Sequence, residues 1–190
     1  MSPILGIYAS AQTASKFAYS SIQTVTVGSG GASSITFSSI PSTYTHLQIR
    51  ILQKTNDTTG SNWTAALQFN GDSATNYSYH GLRGNGTSAI GYAGSSSSSM
   101  FTAESIGSSG LPNSSYGFGV GVTDILDYAN TNKYKTVRTL TGTDSNGSGQ
   151  AIIELTSGLW RNTGAVTSIT LSSGSPSFVQ YSSFALYGVK

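Results

Sequence analysis

The chain of 190 residues predicts an all-β fold: a jelly-roll-like antiparallel β-sandwich in one domain, with an extended N-terminal arm. Three observations carry this. From Ser21 onward apolar residues recur at every second position, the period of a half-buried strand and not of a helix. Asn70-Gly71, Asn85-Gly86 and Asn146-Gly147 break that pattern with pairs that tolerate the positive φ of tight hairpins. Hydrophobic residues make up 37% of the chain, enough for a core, while charged residues make up only 8%, so solubility must rest on hydroxyls and amides.

Residues 1–20 form the arm and 21–190 the sandwich domain. The arm has neither alternation nor helix caps, yet Ile4, Leu5, Ile7 and Tyr8 are apolar and costly to leave in water. It is either an anchoring arm buried against another chain or an extra edge strand of its own domain. Ala9-Ser10-Ala11 imitates a signal-peptidase site, but the apolar stretch before it is short and the first positive charge, Lys16, lies beyond it, so no leader is expected. In "HLQIRIL" Leu47, Ile49 and Ile51 alternate with His46, Gln48 and Arg50. "WTAALQF" places Trp63, Ala65, Leu67 and Phe69 inward. In "YGFGVGV" Tyr116, Phe118, Val120 and Val122 alternate with glycines, whose face leaves room for close packing. The segment "GYAGSSSSSM" reads as a solvated loop by composition. Later strands fall at 135–141, 150–155, 166–171 and 178–189, for about ten in all.

Net charge is +2 with no run of Lys or Arg, so the footprint that a phosphate backbone requires is missing and nucleic acid is not an expected partner. The chain has no Cys, which excludes disulfides, thiolate catalysis and Cys-ligated zinc. No stretch approaches 18 apolar residues, so no membrane span is expected.

Charge gathers in "DILDYANTNKYKTVRTL", where Asp124, Asp127, Lys133, Lys135 and Arg138 are concentrated. Two strands flank the turn "ANTN", with Lys135, Val137 and Thr139 on one face and Tyr134, Thr136, Arg138 and Leu140 on the other. Asp124 or Asp127 can pair across this hairpin with Lys133, Lys135 or Arg138, a contact that contributes about 0.2–1 kcal/mol and helps fix register. The same three cations are the candidate docking patch. This stretch, with "TFSSIPSTYTHLQIR", "SGLWRNT" and "FALYGVK", resembles a family of small tailed-bacteriophage virion proteins over roughly Ser20 to Lys190. The resemblance implies a β-sandwich decorating the phage particle, at head or tail, and brings no catalytic motif with it.

The residues themselves offer little to an enzyme. His46 and His80 are the two neutral-pH bases; His46 sits on the polar face of a strand and His80 near an expected turn, and no G-x-S-x-G elbow occurs. "DSNGSG" imitates the start of a calcium loop, but Leu155 stands where the bidentate Glu belongs. Asp124 and Asp127, the closest carboxylates, fall on opposite faces of a strand. Six N-x-S/T matches follow from an Asn- and Ser-rich composition. No metal or other cofactor is expected. Trp160, with Arg161 in "SGLWRNT", is placed near a loop and is the candidate glycan contact, whereas Trp63 is in phase with the core.

The expectation is a non-enzymatic virion surface protein of head-decoration or fibre type, held by its arm to other virion proteins. Low charge, a glycine-lined strand and an unpaired apolar arm point to a homotrimer. The alternative is a carbohydrate-binding receptor-recognition module of the phage tail, with a host surface glycan as its ligand.

Overall fold

A computed structural model describes residues 18–59, 63–108, 117–144, 151–174 and 176–190. The described residues form twelve strands and no helix: β1 (Tyr19–Thr26), β2 (Ser34–Phe37), β3 (His46–Thr55), β4 (Trp63–Phe69), β5 (Tyr77–Gly84), β6 (Ala89–Ser97), β7 (Met100–Ser108), β8 (Gly119–Leu126), β9 (Lys135–Thr143), β10 (Ile152–Trp160), β11 (Ile169–Ser172) and β12 (Ser183–Val189). They make two antiparallel sheets packed as a sandwich. The larger runs β1-β12-β3-β8-β9-β10-β5-β6 and the smaller β2-β11-β4-β7, with a short parallel pairing of β3 and β7 joining them. This order is that of an antiparallel sandwich and does not by itself single out jelly-roll connectivity.

Period-two patterning decides which face is inside. Along β8 and β9 every second residue is buried, so Thr123, Ile125, Val137 and Thr139 face the smaller sheet. Leu47, Ile49 and Ile51 of β3 and Ala65, Leu67 and Phe69 of β4 are buried as the alternation requires. The core between the sheets includes Phe37, Phe69, Tyr77, Trp160, Phe178 and Phe184, each fully or almost fully buried and each contributing about 1.5–3 kcal/mol of burial before ordering costs. β7 crosses the inner face of β9 and β10, and Met100 at its start fills the space that Gly158 leaves open, where a Cβ would stand 2.7 Å from its sulfur.

Several expectations are corrected. "GYAGSSSSSM" is no loop; most of it lies in β6, where Leu82, Arg83 and Gly84 hold Gly91, Ile90 and Ala89 in register. Pairing in a sheet overrides the loop bias of Ser and Gly. Tyr79 lies over Gly94 and Tyr92 over Gly81, and the two rings stand 6.3 Å apart. In "GVGV" Gly119 and Gly121 face the core and Val120 and Val122 face solvent. Asn70 and Gly71 have the expected positive φ, 53° and 67°, but they form no hairpin: β4 and β5 do not pair, and the turn carries the chain from the smaller sheet to the larger. The arm residues Ile4, Leu5, Ile7 and Tyr8, the Trp63 side chain and Asn146-Gly147 lie outside the described residues.

Candidate functional site

The outer face of the larger sheet is where exposed apolar and ordered polar side chains come together. Its register lines up rows across the strands. Arg50, Val122, Leu140, Leu155 and Leu82 stand side by side on β3, β8, β9, β10 and β5. The next row is Leu52, Val120, Gly142, Ile153 and Gly84. Val120 is 55% exposed, Leu140 52% and Ile153 63%, so the two rows form an aliphatic strip open to water. Gly142 interrupts it, and a shallow apolar depression of about 290 Å³ opens there between Val120, Leu140 and Ile153.

A polar row borders the strip: Gln48, Asp124, Arg138, Ser157 and His80. Arg138 Nη2 donates to Asp124 Oδ2 at 2.9 Å, Gln48 Nε2 donates to Asp124 Oδ1 at 2.9 Å, and Arg50 Nε donates to Gln48 Oε1 at 3.3 Å. The Arg50 guanidinium also lies 4.9 Å from the Tyr187 ring and 5.6 Å from the Tyr19 ring, two cation–π contacts at the end of the row. Partial burial opposes charge on Asp124, but the hydrogen bonds from Gln48 and Arg138 outweigh it and hold the carboxyl below its usual range. Asp124 is therefore a carboxylate at neutral pH, held in place by Gln48 and Arg138.

The charged hairpin divides into three unlike parts. Arg138 pairs with Asp124 across β8 and β9, as the two-residue period anticipates. Lys133 Nζ donates to Asp127 Oδ2 at 2.6 Å, and this bond leads the effects that lower the Asp127 pKa. Lys135 corrects the docking patch: it is fully buried, and its ammonium donates to the carbonyls of Asn130 at 2.6 Å, Lys133 at 2.8 Å and Thr163 at 3.0 Å. Burial pushes its pKa down, and the Asp127 carboxylate opposes that shift. Lys135 ties the 127–133 turn to the loop after β10. Lys133 and Arg138 remain at the surface.

Trp160 corrects the glycan candidate. It ends β10 at 1% exposure, its indole N–H donates to Asp72 Oδ2 at 2.7 Å, and it packs on Phe69 and Tyr77. Arg161 is exposed, donates from Nη2 to the Thr75 carbonyl at 2.5 Å, and lines a shallow groove with Ser78, His80 and Ser95. Among the described residues no aromatic ring lines that groove, so none of them supplies the stacking surface expected beside Arg161. His80 belongs to β5 and not to a turn. His46 Nδ1 accepts the backbone N–H of Asp127 at 3.0 Å, and β8, β9 and β10 separate the two histidine-bearing strands. Among the described residues no group of three His, Asp or Glu side chains could hold a metal ion.

The aliphatic strip escaped the sequence reading, and its signal was apolar residues in both phases of one strand. β10 shows it, with Ile153 and Leu155 out of phase with buried Trp160. No helix of the described residues is long and apolar enough to cross a membrane. Comparison with known proteins finds no matching family model, no matching curated protein and no matching solved structure.

Proposed function

We propose that the chain is a non-enzymatic structural protein displayed on the surface of a bacteriophage particle, of head-decoration or fibre type, and that it docks through the outer face of its larger sheet. The exposed aliphatic strip carries this reading. Exposed apolar surface that is contiguous and rimmed by ordered polar groups is a mark of an interaction surface, because leaving it in water forfeits about 25 cal/mol per Å². The low charge of the chain and the sequence resemblance point to an assembled particle. The arm is read as a second attachment to other virion proteins.

The test is to image the intact particle and to measure incorporation of the Leu140→Asp variant. Density for the chain on the particle surface and loss of the variant from particles are expected. Normal incorporation of a folded Leu140→Asp chain would remove the strip from the docking role.

One observation favours the alternative, a glycan-binding tail module. Tyr19 and Tyr187 flank Arg50 beside Gln48 and Asp124, and aromatic faces next to planar polar groups are what a sugar ring stacks on and hydrogen-bonds to. Binding of host surface glycans that is lost in Tyr187→Ala would support that module over a purely structural role.

A further inference from the structure

We infer that the occupant of the outer face is a second copy of this chain, packed sheet to sheet about a two-fold axis that runs parallel to β8 and β9 and passes between them. The inference rests on reading the outer face as a docking surface. It follows from the register. Rotation about such an axis lays each row of the sheet over the same row of the partner, with β8 opposite the partner's β9 and β3 opposite the partner's β10. The alternative axis, running across the strands through the Val122 row, would lay the polar row over the aliphatic one and desolvate charge against hydrocarbon.

Charge complementarity singles out the position of the axis. Asp124 and Arg138 are register partners on β8 and β9. With the axis between these strands, each Asp124 meets the second copy's Arg138, and two intrachain pairs become a four-centred cluster of alternating sign. An axis along β9 would instead set Arg138 against its own copy. Shape agrees with charge. Val120 comes opposite Gly142, the position where the strip is hollow, and Leu52 comes opposite Ile153. Arg50 comes opposite Leu155 of the second copy, and its guanidinium is drawn off that position toward Tyr187, Tyr19 and Gln48 Oε1.

The available area fits a stable pair. Three strands on each side of the axis at about 4.8 Å spacing, with about eight residues each at about 3.4 Å rise, give a footprint of about 800 Å². That is the area per partner of a standard-size interface, which needs about 800 Å². The aliphatic rows form its centre and the Gln48–Asp124–Arg138 row its rim, the usual division of such surfaces. Strands of the two copies would lie within about 30° of one another, as in aligned sheet packing. This two-fold pairing takes the place of the trimer that composition suggests.

The experiment is sedimentation equilibrium of the purified full chain, alone and as variants whose fold is checked by far-UV dichroism. The wild type is expected to be a dimer at tens of micromolar and Leu140→Asp a folded monomer. Asp124→Arg and Arg138→Asp should each weaken dimerisation at least tenfold, and the two together should restore it, because exchanging the charges recreates the alternating cluster. A wild-type monomer, a trimer, or a Leu140→Asp chain that dimerises normally overturns the proposal. So does a monomeric wild type whose strip is covered on the particle by a different virion protein or that binds only a glycan. A monomer in solution together with failed incorporation of Leu140→Asp would leave the docking surface standing and remove only the self-pairing.

Discussion

Trp160 and Asp72, far apart in sequence, meet through an indole N–H that donates to a carboxylate oxygen at 2.7 Å at the edge of the core. Asp72 also accepts from Asn76 Nδ2 at 2.9 Å and from the Ala74 backbone N–H at 2.9 Å, so one carboxylate organises the β4–β5 turn and fixes Trp160 at the end of β10. The Asn76 and Trp160 bonds hold its pKa below the usual carboxylate range. A carboxyl depressed in the folded state contributes stability that is full above its unfolded pKa, about 3.9, and is lost as pH falls through the folded value. Asp72→Ala should cost about 1–3 kcal/mol in urea unfolding at neutral pH, since it leaves a buried indole N–H without its acceptor. The deficit relative to wild type should shrink below about pH 4, and an unchanged deficit at pH 3 would contradict this account.

Lys135 and Lys133 should respond in opposite ways to the same substitution. Lys133→Met removes an exposed ion pair and should cost at most about 1 kcal/mol. Lys135→Met removes a buried ammonium and leaves three carbonyl oxygens without their donor, which should cost about 3 kcal/mol or more in chemical denaturation. Equal effects would mean that the Lys135 site is solvated. The contrast also changes how the hairpin must be tested for docking: Lys135→Glu would damage folding itself, so charge reversal belongs at Lys133 and Arg138.

What was legible in the sequence was periodic, and what was hidden depended on irregular backbone or distant partners. The Asp124–Arg138 pair follows from strand phase, as does the shared face of Lys135, Val137 and Thr139. Charge nevertheless made Lys135 read as a surface residue. The carbonyls that accept its protons come from turn residues 130 and 133 and loop residue 163, whose convergence no alternation encodes. Trp160 looked like a loop aromatic because Asp72, its partner, lies far away in sequence, in the connection from β4 to β5. The serine run of β6 looked like a loop because its strand character comes from the register of β5, from Tyr79 covering Gly94 of β6 and from Tyr92 of β6 covering Gly81 of β5.

Tyr77 gives the fold an alkaline limit. Its phenol is buried between β4 and β5, accepts the Phe69 N–H at 3.0 Å and donates to the Asp72 carbonyl at 3.1 Å. Burial pushes its pKa up to about 12. An acid whose folded pKa is raised binds its proton more tightly when folded, so the stability it lends is full below the unfolded value near 10 and is lost as pH rises from there to about 12. A tyrosinate absorbance titration of the native protein should show a late-titrating group that Tyr77→Phe removes. Tyr77→Phe should also flatten the decline of the melting temperature between pH 10 and 12, and a decline as steep as that of the wild type would place the alkaline limit elsewhere.

Gly121 tests whether the glycine face of β8 is needed for packing or merely tolerated. A Cβ added there would stand 2.8 Å from Thr141 Cγ2 and 3.8 Å from the Ile51 Cβ, on the inner face of the sheet. Thr141 is β-branched and buried, so its χ1 has little freedom to yield. Gly121→Ala should therefore destabilise by about 1–3 kcal/mol through overpacking, despite the better strand propensity of alanine. Thr141→Ser deletes the methyl that the new Cβ would strike and keeps the hydroxyl. Combined with Gly121→Ala it should recover at least about 1 kcal/mol relative to the sum of the single effects, a coupling that a double-mutant cycle measures directly. Strict additivity would show that the clash is relieved by a shift of β8 and not by Thr141, and the close approach of β8 and β9 would then not be what requires a glycine at this position.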